Sequence, residues 1–530
     1  MRQEVQNESG WAEFIPSPRW VRAKFANQYV ADSKQVMLLR QTGSLPVYHF
    51  PQENVRLDLL TPNGESRTHS ISGERTYLTL QVGDQTVEKA AWRYDAPAEN
   101  GLDLTGYIAF RWEAIDAWFE EADQIYRHAR DPHKRIDVAL SSRHIQIVIG
   151  GETVADSRRA RLLFETGLPT RYYIPPEDVR MELLSSTNTT SQCPYKGIAS
   201  YYSVTTDSTQ HEDIAWYYPF PIPECPKIEN LICFFNERVE AVIVDGEIEE
   251  KVATPWSVAS KTTPIQAERE ASVKAAQIYI PDQRRNIHAS PRHVRAQFAG
   301  QWVADSKTPY LAREDGHWLR EYYFSTGEVQ QDLLVKSEKT AVSSTFGPLA
   351  YFHLQVGDRL AENAVRMVTA PPAEMAQLQG YFALDWKSMD AWFEESDQVY
   401  VHARDPFARL DVLNSPRHIQ VSIDGTLVAD TKRACLLFET GLPTRYYIPK
   451  EDIRQELLRP SSQQSQCPYK GIASYYSVQI GDQIHKDIAW YYPFPIPEIP
   501  KIENLVCFYN ELVDIRLDGE LEPRPQTHFV

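Results

Sequence analysis

The sequence predicts a mainly β protein: four small antiparallel β-rich domains arranged as two tandem pairs, with short helices. Three observations carry this. The stretch Cys193 to Val204 returns without a substitution at Cys467 to Val478, inside a longer frame that keeps an offset of 274 residues. A shared opening occurs four times. It begins at Arg19-Trp20, Arg143-His144, Arg292-His293 and Arg417-His418, and closes on Val-Ala-Asp-Ser or Val-Ala-Asp-Thr. Between such landmarks, short alternating runs are broken by turn residues roughly every eight to twelve positions, the texture of small β domains.

A chain of 530 residues is too long for one hydrophobic core, which agrees with several units. The units are placed at 18–130, 131–255, 290–404 and 405–530, with a linker at 256–289. A formal charge of −17 argues against a nucleic-acid partner, whose phosphates need clustered Lys and Arg. Residues 1–8 hold no apolar signal region, and no run approaches the length of a membrane span. The six cysteines include no C-x-x-C spacing, so a four-thiolate zinc site is not expected. Sparse thiols without a leader fit a reducing compartment, and a cytoplasmic location is the expectation.

In the second unit, His144 to Ile149 and Glu152 to Asp156 alternate on either side of Gly150-Gly151, a hairpin signal. Tyr172-Tyr173-Ile174 reads as a strand stopped by Pro175-Pro176, and Glu177 to Leu184 as a short helix with acidic residues in its first turn. Ser185 to Gln192 reads as a polar loop. Two aromatic strands and the Pro-rich turn 219–223 follow, then a hairpin turning at Asp245-Gly246. Trp112 to Glu121 and Trp386 to Glu395 place apolar residues at helical spacing. Each runs into a matching His-Ala-Arg-Asp-Pro connector, which predicts a fixed docking of unit one on two and of three on four. Ala267 to Gln277 is a candidate helix within the linker.

The odd units lack the polar cluster of the even ones. Ile71 to Arg75 and Thr345 to Leu349 stand where Cys193 to Gly197 would fall, and Trp92 has no counterpart near Val365. Any chemistry is therefore expected in units two and four.

At Val-Ala-Asp-Ser, Leu-Phe-Glu-Thr-Gly-Leu-Pro-Thr-Arg-Tyr-Tyr-Ile-Pro, Cys-Pro-Tyr-Lys-Gly, Asp-Ile-Ala-Trp-Tyr-Tyr and the terminal Asp-Gly-Glu, the chain resembles domain-of-unknown-function family 427. That family is also catalogued as nucleotidyltransferase-like. The resemblance covers nearly all of each even unit and implies small β-rich domains, often in tandem, without a settled activity. No Gly-Ser pair followed by spaced carboxylates, and no Gly-rich phosphate loop, supports the nucleotidyltransferase label.

Candidate catalytic residues are Lys196, Lys470, Cys193, Cys467, Asp213 and Asp487. A desolvated Lys196 would serve proton transfer, imine formation or pairing with an anionic substrate, against an ion pair with Asp213 or Glu165. Cys193 and Cys467 lie near that cation, which favours a thiolate; packing at a turn is the plainer use, since no general base is visible. Tyr195, Tyr469, Tyr202, Tyr476, Trp216 and Trp490 would wall a site for a flat or phenolic ligand, or simply pack across strands. Arg171 and Arg445 would offer a fork to a carboxylate, or pair internally with Asp156 or Glu165. His144 and His418 have no second ligand at metal spacing, and Asp156 and Asp430 are expected to bond turn amides.

The sequence thus points to a soluble enzyme or binding protein for a small organic molecule, without metal or nucleotide cofactor. The alternative is a non-catalytic protein-interaction module, and nucleotide transfer is third. A protein partner and the oligomeric state stay open.

Overall fold

The computed structural model describes residues 3–7, 10–42, 44–69, 72–97, 101–207, 209–254, 256–257, 286–317, 319–527 and 529. The candidate helix at 267–277 lies outside them. Each of four successive repeats is a two-layer β-sandwich with antiparallel ladders. In the second, the large sheet runs in the order Ile136–Leu140, Arg161–Glu165, Arg171–Ile174, Ile232–Phe234, Thr209–Pro221, Gly197–Thr206, Leu184–Cys193. The small sheet runs Glu152–Ser157, Ile145–Ile149, Ala241–Val244, Glu247–Ile248. The other repeats keep this order. The first adds Gln3–Asn7 at its edge. In the fourth, Ile448 and Val506 exchange backbone bonds of 2.8 and 2.9 Å, joining the two parts of the large sheet.

Periodicity explains the layers. Ile145, Ile147 and Ile149 alternate inward and meet Leu162, Tyr172, Ile174, Val204 and Phe234 of the large sheet in one core. The turn at Gly150-Gly151 has φ of 58° and 79°, the left-handed pair that a two-residue hairpin demands. A Cβ on Gly150 would sit 2.3 Å from Thr206 Oγ1, so it is the close approach that excludes a side chain there; the matching turns of the other repeats carry Ala26, Ala299 and Asp424 at φ of 46°, 49° and 49°.

Several local expectations are corrected. Trp112 to Glu121 is not a helix but a 3-10 turn, Trp112–Ala114, followed by the strand Ala117–Glu120. The misleading spacing comes from Trp118 folding back onto Trp112, with rings stacked 4.4 Å apart and Trp118 Nε1 donating to the Trp112 carbonyl at 3.2 Å. The same holds for Trp386–Ser388 and Ala391–Glu394. Glu177 to Leu184 is two 3-10 turns, Pro176–Asp178 and Met181–Leu183. Ser185 to Gln192 belongs to the strand Leu184–Cys193, an outer strand paired on one side only, so its polar side chains face water while the backbone pairs with Gly197–Thr206. The odd-repeat counterpart of Cys193 to Gly197 lies two residues earlier than the sequence suggests. The pairs His69–Gly73 and Ser343–Gly347 close the hairpin as Cys193–Gly197 does.

In space, buried charge links the halves crosswise. Arg19 bridges Glu120 of the first repeat and Asp411 of the fourth, the latter at 2.6 Å. Arg292 likewise joins Glu394 of the third to Asp137 of the second, also at 2.6 Å. Backbone bonds accompany them, Ala122 N to Asn414 O at 2.8 Å and Ser396 N to Leu140 O at 2.9 Å. The second and fourth repeats meet through Arg135, whose guanidinium lies 4.4 Å from the Tyr469 ring, and Arg409, 4.5 Å from Tyr195. Within each half, Arg40 of the first repeat reaches Asp131 at 3.0 Å and Arg320 of the third reaches Asp405 at 3.1 Å, while the amides of these aspartates donate to Tyr195 and Tyr469.

Candidate functional site

The large sheet of each even repeat is covered on both faces. Its outer face carries Leu163, Tyr173, Cys233 and Trp216, covered by residues 222–231 and by the chain after the final hairpin. Arg171 rises from this face beside Tyr173, two positions on and on the same side. Glu237 holds its guanidinium by two bonds of 2.6 and 2.9 Å. Fixed in plane, the guanidinium lies 5.6 Å from the Trp216 ring, 6.0 Å from Phe235 and 5.6 Å from Trp256. Trp216 donates to Tyr173 Oη at 3.2 Å and packs 4.5 Å from Phe235, so the wall is locked from behind.

The fourth repeat reproduces this cluster. Glu511 holds Arg445 with two bonds of 2.7 Å. The guanidinium is 5.5 Å from Trp490, 6.0 Å from Tyr509 and 5.5 Å from Phe529. Burial disfavours the Glu511 carboxylate, but bonds from Arg445 and Thr527 outweigh this and hold its pKa at about 2. Glu237 is lowered for the same reasons. The odd repeats place Val47 and Glu321 at the arginine's position in the ladder; their guanidinium–ring contacts come from other strands, Arg75 at 5.5 Å from Trp92 and 5.7 Å from Tyr94, and Arg366, paired with Glu321, at 5.9 Å from Tyr323.

Lys196 is in an ion pair with Glu165, which also takes Lys134 at 3.0 Å; the Lys196 and Glu165 side chains are 12% and 6% exposed. Lys470 pairs with Glu439 at 2.5 Å. Burial opposes the Lys196 charge, yet Cys193, Glu165 and Tyr173 around it hold its pKa well above the usual lysine value, and Lys470 is raised by its equivalent neighbours. An ammonium so held is the charged partner of a buried ion pair. Burial pushes the Cys467 thiol up against the pull of Lys470.

Asp213 does not approach Lys196. It lies on a bulge with φ 44° and accepts from Thr187 and Thr189 hydroxyls at 2.7 Å each, tying the long hairpin together. Asp487 occupies the matching bulge, φ 51°, its amide donating to Ser477 at 3.1 Å. Tyr202 and Tyr476 stack on Tyr217 and Tyr491 at 5.0 and 4.9 Å, against the sandwich core. Tyr195 and Tyr469 belong to the contact between even repeats. There Arg135, Arg409, Glu224, Glu498 and Lys501 line a cavity of about 50 Å³, room for little more than water.

Two partner assignments are corrected. Arg171 pairs with Glu237 rather than Asp156 or Glu165, because its place on the outer face turns it toward the loop after Phe234. Asp156 and Asp430 bond no turn amide but accept from His144 and His418 Nε2 at 2.7 Å, across the small sheet. Sequence reasoning missed Glu237, Phe235, Thr254 and Trp256 with their counterparts Glu511, Tyr509, Thr527 and Phe529. The repeated Phe-Phe-Asn-Glu and Phe-Tyr-Asn-Glu were the available signal. Among the described residues no three His, Cys, Asp or Glu converge as metal ligands, and no helix is long and apolar enough to cross a membrane.

Two-layer sandwiches in tandem, with a buried Arg–Glu pair ringed by aromatic side chains on each even copy, define a β-sandwich repeat protein. The chain belongs to the family described as Domain of unknown function (DUF427), whose family model matches it four times, at residues 13–121, 137–245, 286–395 and 411–519. Comparison with curated proteins returned no match.

Proposed function

We propose that the chain is a non-catalytic binding protein with one recognition cleft on each even repeat, made of two tandem pairs that contribute one cleft apiece. The observation that carries this is the pinned arginine walled by aromatic rings, built twice with the same distances to within 0.1 Å for the guanidinium–ring contacts. A guanidinium whose edge is taken by a carboxylate still offers its flat faces, which suit a planar aromatic group. Catalysis draws no support from Lys196 and Lys470, both committed to carboxylates. The free state of all six cysteines is in keeping with a cytoplasmic setting.

The test is thermal stabilisation of the full chain carrying Trp256→Ala and Phe529→Ala, which uncovers both arginines. Indole-3-acetate and phenylacetate are expected to raise its melting temperature by mass action, and magnesium nucleotides to leave it unchanged. No shift with millimolar aromatic probe in a cooperatively folded variant would reject the reading. A shift with magnesium nucleotides alone would move it to nucleotide chemistry.

A further inference from the structure

What fills each cleft is a piece of the same chain. After the second repeat, the Thr254 hydroxyl donates to Glu237 and accepts from the Trp256 amide at 3.2 Å, while the Trp256 ring lies over Arg171. After the fourth, the Thr527 hydroxyl donates to Glu511 at 2.5 Å and accepts from the Phe529 amide at 3.3 Å, while the Phe529 ring lies over Arg445. The two tails share little else: Lys251-Val252-Ala253 precedes one threonine and Arg524-Pro525-Gln526 the other. What recurs is a hydroxyl, one intervening residue and an aromatic ring, in a local turn closed by the hydroxyl.

We infer that the cleft is a peptide-recognition site for a hydroxyl residue two positions before an aromatic residue, and that the two tails occupy it in the absence of a partner. This rests on the binding reading above and names its ligand class. The chemistry is division of labour. The carboxylate takes both arms of the arginine fork and still accepts the hydroxyl. The guanidinium plane takes the ring, and tolerates indole or phenyl because stacking reads a flat face rather than a pattern of donors. A tethered tail acts at an effective concentration on the order of millimolar, so only a partner segment that binds well, or arrives at high local concentration, displaces it. The occupant in trans is such a segment on a partner protein.

The test uses the full chain with Thr527→Ala and Phe529→Ala and a fluorescent peptide of sequence Glu-Pro-Arg-Pro-Gln-Thr-His-Phe-Val. This variant is expected to bind the peptide saturably, with the wild-type chain and peptides lacking the Thr hydroxyl or the Phe ring each weaker by about tenfold or more. Trp256→Ala, in mid-chain, repeats the measurement at the second repeat should the first variant not fold. A folded variant that binds the peptide no better than its Phe→Ala control, or no better than wild type does, overturns the inference. Dimerisation of the wild-type chain by tail exchange would overturn the partner assignment. Binding of indole-3-acetate with no binding of peptide would reject the segment and leave the binding reading intact; binding of neither would reject both.

Discussion

Removing the Lys196 ammonium leaves Glu165, 6% exposed, with Lys134 as its remaining cation. Lys196→Met is expected to destabilise the fold by about 3 kcal/mol, and Lys196→Met with Glu165→Gln to recover part of that, because the cost is an unpaired buried charge. Denaturant titration of the three chains checks this; equal stability of wild type and Lys196→Met would make the pair dispensable. Acid tests the same carboxylates. Burial raises the Glu165 pKa but Lys134 and Lys196 bring it down to about 2, and Glu511 is held at about 2, against 4.5 for a free glutamate carboxyl. Folded values below unfolded ones mean stabilisation that is complete above pH 4.5 and lost as pH falls from 4.5 toward 2. The melting temperature should drop across that window, and Glu165→Gln should flatten the slope. At this scale the sequence was half legible. Glu165 stood among the two partners expected for Lys196. Glu237 did not stand among those for Arg171, because sixty-six positions separate them and only the fold brings them together.

Among elements, the small hairpin at Gly150-Gly151 makes the sharpest claim. Both glycines have positive φ, but only a Cβ at 150 meets Thr206, whereas nothing lies within 4 Å of one at 151. Gly151→Ala should cost about 1 kcal/mol for its backbone alone, and Gly150→Ala clearly more. Equal losses in a denaturation series would contradict the close approach. This hairpin was readable because two glycines between alternating runs have one common use. The strand Leu184–Cys193 was not, because Ser, Thr, Asn and Gln spell a loop unless a partner strand supplies the hydrogen bonds. Trp112 and Trp118 misled for a related reason: a turn that folds one ring onto another mimics helical spacing without a helix.

Across the whole molecule, the four repeats were legible from the repeated text, but their crosswise pairing was not. Arg19 and Asp411 are 392 residues apart, and nothing local marks them as partners. Their contacts predict that a chain cut at a protease site inserted within 258–285 stays one species on sizing, and that Asp137→Asn with Asp411→Asn loosens it. Separation of the halves without those substitutions would contradict the pairing. The same duplication that builds this frame also repeats the arginine–aromatic cluster, at Arg171 and Arg445. Phe220 and Phe494, 83% and 84% exposed, lie elsewhere on the same repeats, so exposure alone does not mark the site.

The proposed binding role requires two equivalent aromatic-binding sites, one per even repeat. Calorimetric titration of the full chain carrying Trp256→Ala and Phe529→Ala with indole-3-acetate tests it most directly. Two sites per chain are expected, falling to one when Arg171→Lys or Arg445→Lys is added, since lysine keeps the charge and loses the plane. No binding, or binding that ignores both arginines, would contradict it.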